Sequence, residues 1–118
     1  MSRDTLSQKD PGKEPFPFAP PRSEAVRLIN LSSVLLSEEK YGEAAEMLRT
    51  AIRYDDSFPQ AYNNLGIALA ELGDEEGAKE AFSRALELDP SNSSAKSNLN
   101  RMKEEVMKEE LMSDELRK

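Results

Sequence analysis

The stretch PQAYNNLGIALAELGDEEGAKEAFSRALELDPSN, residues 59–92, indicates the architecture because it repeats the pattern of the 34 residues before it. Those earlier residues, 25–58, read AVRLINLSSVLLSEEKYGEAAEMLRTAIRYDDSF. Small and apolar residues recur between the two stretches at a constant step: Leu31 and Leu65, Leu35 and Leu69, Ala44 and Ala78, Leu48 and Phe82, Ala51 and Ala85. Such a period is typical of helical-pair repeats, which bury their apolar faces by stacking and offer a concave surface for binding. The pattern therefore predicts a recognition scaffold rather than a catalyst.

The composition excludes several kinds of site. The chain of 118 residues has room for one domain, and it is 37% hydrophobic and 33% charged. It contains no cysteine and no histidine, so it lacks disulfides, thiolate metal sites and the commonest acid–base side chain near neutral pH. No apolar run approaches the roughly 18 residues that a membrane span needs, and the first ten residues lack the apolar core of an export signal. These features predict a cytoplasmic protein without a membrane partner.

The net charge of −7 lies on the repeats. Residues 23–100 hold 7 basic and 14 acidic side chains, whereas the two ends are nearly balanced. An acidic surface repels phosphate backbones, so nucleic acid is not expected as a partner. The same surface favours protein or peptide partners with basic segments, mainly through the association rate. The alternative is that the acidic excess serves only to keep a small protein in solution.

The N-terminal segment, residues 1–22, is predicted to be a disordered leader. Five of the seven prolines fall between Pro11 and Pro21, and this density prevents a regular helix or strand. Phe16 and Phe18 lie within this segment. They could dock onto the repeats or onto a partner, or they could simply belong to a tether.

Capping residues and helix breakers predict five helices. The expected N-caps precede apolar residues at helical spacing, and the expected breaks fall at a glycine and at an Asp-Pro pair. The first helix is predicted from an N-cap at Ser23 to about Ser37, and the second from Tyr41 to about Tyr54. The third begins after an N-cap at Ser57, with Pro59 in its first turn, and ends at Gly73. The fourth begins after Asp74 and ends at Asp89-Pro90, and the last begins near Asn92 or Ser93.

The two units resemble the tetratricopeptide repeat family. Residues 59–92 carry the family's pattern in order: Tyr62, Leu65-Gly66, Leu69, Gly73, Ala78, Phe82, Ala85 and Pro90. The first unit is degenerate, since Leu28, Ser32, Leu48 and Asp56 replace the first aromatic residue, the glycine, the second aromatic residue and the proline. The resemblance implies an all-α, right-handed solenoid of two repeats, at about 25–58 and 59–92. Residues 93–118 then form a capping helix with a charged tail.

The resemblance also implies a peptide-binding groove, because the first helix of every repeat lines the concave face in this family. The candidate groove residues are Asn30, Ser33, Asn63, Asn64, Ile67, Glu71, Asn98 and Arg101, and the resemblance places Ile29 on the same face. Asn30, Asn64 and Asn98 recur at the 34-residue step and look like the asparagine ladder of O-GlcNAc transferase. An amide both donates and accepts, so each could pair with the backbone of an extended peptide. The alternative is that asparagine stands there only because the position is polar and exposed.

A second comparison within the family predicts that one of its binding sites, a carboxylate clamp, is missing from this chain. Co-chaperones of this family hold the C-terminal carboxylate of heat-shock chaperones with a clamp of lysine, asparagine and arginine. Asn64 matches the middle asparagine, but the other clamp positions are occupied by Ile29, Ser33, Ser94 and Asn98. A carboxylate would lose its hydration there without gaining a cation, so a chaperone clamp is not expected.

The sequence predicts a non-catalytic interaction module. Its paired carboxylates, such as Glu38-Glu39 and Glu75-Glu76, lie at turns or helix starts, and it contains no phosphate loop, nucleophile elbow or metal motif. We therefore expect no enzyme activity, no catalytic residue, no metal and no cofactor, and a role as an adaptor or assembly factor. The alternative is an oligomerisation unit, such as a homodimer, that pairs through the degenerate first repeat or through the last helix with its exposed Met107 and Leu111.

Overall fold

A computed structural model describes residues 21–117 and places five helices there, with no strand in that range. The helices are α1 (Pro21–Ser37), α2 (Tyr41–Tyr54), α3 (Pro59–Glu71), α4 (Glu75–Leu88) and α5 (Ser93–Arg117). The predicted leader, with Phe16 and Phe18, lies outside the described residues except for Pro21 and Arg22, which belong to α1.

Local capping chemistry sets the helix starts, and it differs from the sequence prediction at two of them. Asp74 accepts a hydrogen bond from the backbone N–H of Gly77, and Asn92 accepts one from Ala95, so both predicted N-caps are confirmed. The prediction of Ser23 as the first cap was wrong, because α1 begins two residues earlier, where a proline is well suited to the first turn.

The predicted cap at Ser57 was also wrong. Phe58 is the N-cap of α3 and makes no side-chain capping bond. Ser57 instead donates its backbone N–H and its hydroxyl to Oδ1 of Asp55, at 2.9 and 2.5 Å. Because these bonds hold Ser57 in the preceding turn, Pro59 starts the helix without a side-chain cap.

Equivalent turns join the helices of each pair. Gly73 has a φ of 88°, which confirms the predicted left-handed residue after α3. Its counterpart in the first unit, 34 residues earlier, is Glu39, which adopts a φ of 62°. A side chain is disfavoured in this region, so the first unit forms the same turn with a less suitable residue.

Small residues allow the helices to pack closely. Ten alanines are at most 5% exposed: Ala25, Ala44, Ala45, Ala51, Ala61, Ala68, Ala78, Ala81, Ala85 and Ala95. Along the chain each helix packs on the next, and α1 also contacts α3 as α3 contacts α5. Leu48 in the first unit and Phe82 in the second fill the centres of the two pairs. This stacking is the predicted solenoid, and it places α1, α3 and α5 side by side along one face.

The last helix extends beyond the repeats, as predicted. Met102 is 8% exposed and belongs to the core, but Met107, Leu111, Met112 and Leu116 are all more than 60% exposed. Since α5 has 25 residues, only its first half can lie against α4. The second half presents a mixed apolar and charged surface.

The loop before α3 makes stability sensitive to acid. The hydroxyl and backbone N–H of Ser57 hold the pKa of Asp55 below its ordinary value, and Arg22, 3.4 Å away, acts in the same direction. The ionised carboxylate therefore stabilises the fold above the usual aspartate range, and this contribution is lost as the pH falls through the lowered pKa. We expect Asp55→Asn to lower the melting temperature at pH 7, and the difference from wild type to shrink as the pH falls below the ordinary aspartate pKa. Thermal scans across this range, with exposed Asp56→Asn as the control, would contradict the account if the difference stayed constant.

Candidate functional site

The candidate groove follows the face that α1, α3 and α5 share. Residues at the same repeat position lie on equivalent turns of these three helices, so the 34-residue step becomes a row across the molecule. Asn30, Asn64 and Asn98 form this row, but they are not equally accessible. Asn30 is exposed, Asn64 is 7% exposed and Asn98 is half-buried.

Side-chain hydrogen bonds connect the helices across this face. The Nδ2 of Asn64 donates to Oγ of Ser33, at 3.3 Å, and joins α3 to α1. The Nδ2 of Asn98 donates to Oδ1 of Asn63, at 3.1 Å, and joins α5 to α3. The Oδ1 of Asn98 also accepts from Arg101, at 3.3 Å. The structure therefore brings five of the predicted groove residues into two connected groups.

Sequence reasoning did not anticipate these bonds. The partners are 31 and 35 residues apart, so they fall on either side of the 34-residue period rather than on it. A search for polar pairs at offsets near the period could have suggested them. Asn63 and Asn64 are both buried, and within residues 21–116 no fully buried side-chain nitrogen or oxygen lacks a partner. The amides therefore connect the three helices across this face.

The remaining groove residues supply apolar and charged surface. Ile67 is half-buried and packs against the core, whereas Glu71 and Arg101 are exposed. Glu71 lies near Tyr41, whose pKa is raised first by burial and then by the negative charge of Glu71. Ile29 does not belong to the groove surface, because it is 3% exposed and lies in the core. Its placement on the concave face was wrong.

The positions of a carboxylate clamp hold no cation. Ile29 is buried, Ser33 and Ser94 are exposed hydroxyls, and Asn64 and Asn98 are engaged in the cross-helix bonds. Arg101 is the cation in the candidate groove, and it is hydrogen-bonded to Asn98. The candidate groove residues are therefore mostly uncharged polar groups, apart from Glu71 and Arg101.

A cavity of about 560 Å³ is lined by residues of α2, α3 and α4 that are not among the candidate groove residues. Arg49, Tyr62, Leu65 and Arg84 contribute to its lining. The guanidinium of Arg84 lies 5.8 Å from the centre of the Tyr62 ring. Among the described residues no three Asp or Glu side chains are grouped so as to hold a metal ion. Across residues 21–117, no helix has the length and apolar character that crossing a membrane requires.

Comparison with known proteins supplies a family for this geometry. A tetratricopeptide repeat family model matches residues 29–93. Heat shock protein STI1 of Saccharomyces cerevisiae is 34% identical over 73 residues, which is 62% of this chain and 12% of that protein. RNA polymerase II-associated protein 3 of Xenopus tropicalis is 34% identical over 82 residues, which is 70% of this chain and 12% of that protein. The chain therefore spans about an eighth of the length of these relatives.

A solved structure agrees with the fold. The first TPR of Spaghetti (RPAP3), bound to the HSP90 peptide SRMEEVD, matches with a TM-score of 0.67 and 28% sequence identity. The match covers 70% of this chain and 66% of that chain. The described helices therefore form an α-solenoid of the same kind.

Proposed function

This chain belongs to the tetratricopeptide repeat family and is a protein-interaction module, and we propose that it binds an extended peptide segment of a partner protein along the groove of α1, α3 and α5. The observation that carries the proposal is the row of amides, whose cross-helix bonds hold Asn64 and Asn98 in fixed positions on that face. Amides held in this way can exchange hydrogen bonds with a peptide backbone without first losing rotamer freedom.

The groove also favours a ligand of a particular charge. Residues 23–100 carry twice as many acidic as basic side chains, and Glu71, a candidate groove residue, is exposed. A peptide with basic residues outside its central segment would associate faster, and this gain would decrease with salt. The proposed role is that of an adaptor or assembly factor that recruits such a segment.

Selection of displayed peptides tests the proposal without knowledge of the natural partner. A random peptide library panned against the full chain should yield sequences that bind saturably. The affinity of the selected peptides is then measured by titration. Asn30→Ala changes the exposed end of the row and should reduce this affinity several-fold, because a neutral hydrogen bond contributes about 0.5–1.5 kcal/mol. Asn100→Ala is the control, because Asn100 is an exposed asparagine on α5 that is not among the groove residues. Equal affinities for both variants and the wild type would contradict the proposal.

The peptide SRMEEVD gives a sharper test of specificity. We expect the wild-type chain to show no saturable binding of this peptide up to about 1 mM, because the groove offers its carboxylates too little positive charge. The double change Ser94→Lys and Asn98→Arg should raise the affinity at least tenfold by adding two cations. Isothermal titration against the peptide and its C-terminal amide measures both effects, and micromolar binding by the wild type would contradict the prediction.

A further inference from the structure

One face of α1 carries apolar residues that no neighbouring element covers. Arg27, Leu31, Val34 and Glu38 follow one another at steps of four, three and four residues, which keeps them on one side of a helix. Glu38 directly follows α1 and continues its hydrogen bonding through its N–H to Val34. Leu31 is 40% exposed and Val34 is 53% exposed. We call these four residues the N-terminal stripe.

The first three positions of the stripe are covered in both later units. The counterparts of Arg27, Leu31 and Val34, 34 and 68 residues further on, are Ala61, Leu65 and Ala68 in α3, and Ala95, Leu99 and Met102 in α5. Leu99 is half-buried and the other five are at most 9% exposed. They are buried because α3 packs on α2 and α5 packs on α4. Within residues 21–117 no helix takes the corresponding place on α1.

We infer that the N-terminal stripe pairs, antiparallel, with the N-terminal stripe of a second copy of this chain. The spacing of four, three and four residues reads the same in both directions, so a two-fold axis between Ser32 and Ser33 superposes the stripe on itself. Leu31 of each copy then lies in the same layer as Val34 of the other. A closed two-fold contact of this kind buries the apolar pair on both copies at once.

The charges at the ends of the stripe select this orientation. Antiparallel pairing places Arg27 of one copy beside Glu38 of the other, at both ends of the contact. The side chain of Arg27 is 54% exposed and that of Glu38 is 50% exposed, so each can reach a new partner while keeping its intramolecular one. Parallel pairing would place like charges opposite each other, which is unfavourable.

The size of the contact sets its strength. Two apolar and two charged residues from each copy bury much less than the roughly 1,200–2,000 Å² of a stable complex, so the dimer should be weak and should dissociate on dilution. The stripe is distinct from the groove residues of the proposed function. Dimerisation would therefore bring two grooves into one particle, and its failure would leave the groove proposal intact.

Sedimentation equilibrium of the full chain, from about 10 µM to about 1 mM, tests the pairing. We expect a monomer–dimer equilibrium that Val34→Glu weakens at least tenfold, because the new carboxylate lies against Leu31 of the second copy. Leu72→Glu is the matched control, since Leu72 is 52% exposed and Val34 is 53% exposed. A chain that stays monomeric throughout, as it would if residues 1–20 or another protein covered the stripe, overturns the inference. Equal weakening by both variants also overturns it.

The orientation has its own test because the chain contains no cysteine. Chains carrying Leu31→Cys and chains carrying Val34→Cys are mixed in a thiol redox buffer, and the disulfide-linked species are separated by mass. The mixed dimer links one Leu31→Cys chain to one Val34→Cys chain. Antiparallel pairing predicts more of this dimer than random pairing of the two chains would give, because Leu31 and Val34 occupy one layer. A mixed dimer at or below that share overturns the antiparallel register. Circular dichroism should show wild-type helix content for both variants.

Discussion

Gly66→Ser should lower the free energy of unfolding by about 3 kcal/mol, the upper part of the range for overpacked cores. A Cβ at Gly66 would lie 2.5 Å from Cε1, 2.6 Å from Cδ1 and 2.8 Å from Cζ of Phe82. Phe82 is 1% exposed and is the largest fully buried side chain described, so its ring has little room to move. In a domain of this size such a loss corresponds to a fall of about 15 °C in melting temperature.

The first unit supplies the compensating change. There Ser32 occupies the position of Gly66, and Leu48 occupies the position of Phe82. Both are fully buried, and the Ser32 hydroxyl donates to the carbonyl of Ile29 at 2.6 Å. We therefore expect Phe82→Leu to recover about 1–2 kcal/mol in the Gly66→Ser background, relative to the sum of the two single changes.

Urea unfolding of the four chains, followed by circular dichroism, measures this coupling. Gly42→Ala is the control, because a Cβ at Gly42 would meet no atom within 4 Å. It should leave stability unchanged or raise it by up to about 1 kcal/mol, since alanine is the better helix former. If the effects of Gly66→Ser and Phe82→Leu on the free energy of unfolding were additive, the predicted clash between the new side chain and the Phe82 ring would be contradicted.

The second large effect concerns binding. The affinity for a selected peptide should fall by one to three decades when Asn30, Asn64 and Asn98 are all changed to alanine. This range assumes that each amide contributes about 0.5–1.5 kcal/mol to binding. High salt should change this loss little, because neutral hydrogen bonds are not screened as exposed charges are. Titration of the selected peptide at low and high salt measures the effect.

The triple change has a structural consequence that needs its own control. Ser33 and Asn63 each lose a partner, and Asn63 is only 7% exposed, so we expect a loss of about 1–3 kcal/mol in stability. Ser33→Ala with Asn63→Ala removes the same two bonds from the other side and leaves the three asparagines in place. Because Ser33 and Asn63 are candidate groove residues as well, a loss of binding equal to that of the triple change would show that the three asparagines contribute nothing beyond these two cross-helix pairs.

Sequence predicted the fold well where short-range chemistry is decisive. Gly73 and Asp74 were identifiable because a left-handed residue followed by an aspartate cap has few substitutes. The 34-residue period predicted the stacking order, since each helix has to cover the apolar face of its neighbour. Ser57 was misassigned because an adjacent carboxylate, Asp55, competes for its hydroxyl and N–H.

The candidate site was less predictable because it depends on distances between helices. The row of Asn30, Asn64 and Asn98 follows from the period alone. The bonds from Asn64 to Ser33 and from Asn98 to Asn63 depend on how far each helix shifts along its neighbour, which periodicity does not encode. The exposure of Leu31 likewise depends on which helix covers α1, and local pattern carries no information about that.

Binding of a peptide along the face that α1, α3 and α5 share can be observed at the asparagine side chains themselves. ¹⁵N-labelled protein is titrated with the selected peptide, and the side-chain amide resonances are followed by NMR. We predict that the amides of Asn30, Asn64 and Asn98 shift in proportion to occupancy, whereas that of Asn100 does not. Shifts confined to α5 beyond Met107, or to the residues around the cavity that Tyr62 and Arg84 line, would contradict this proposal.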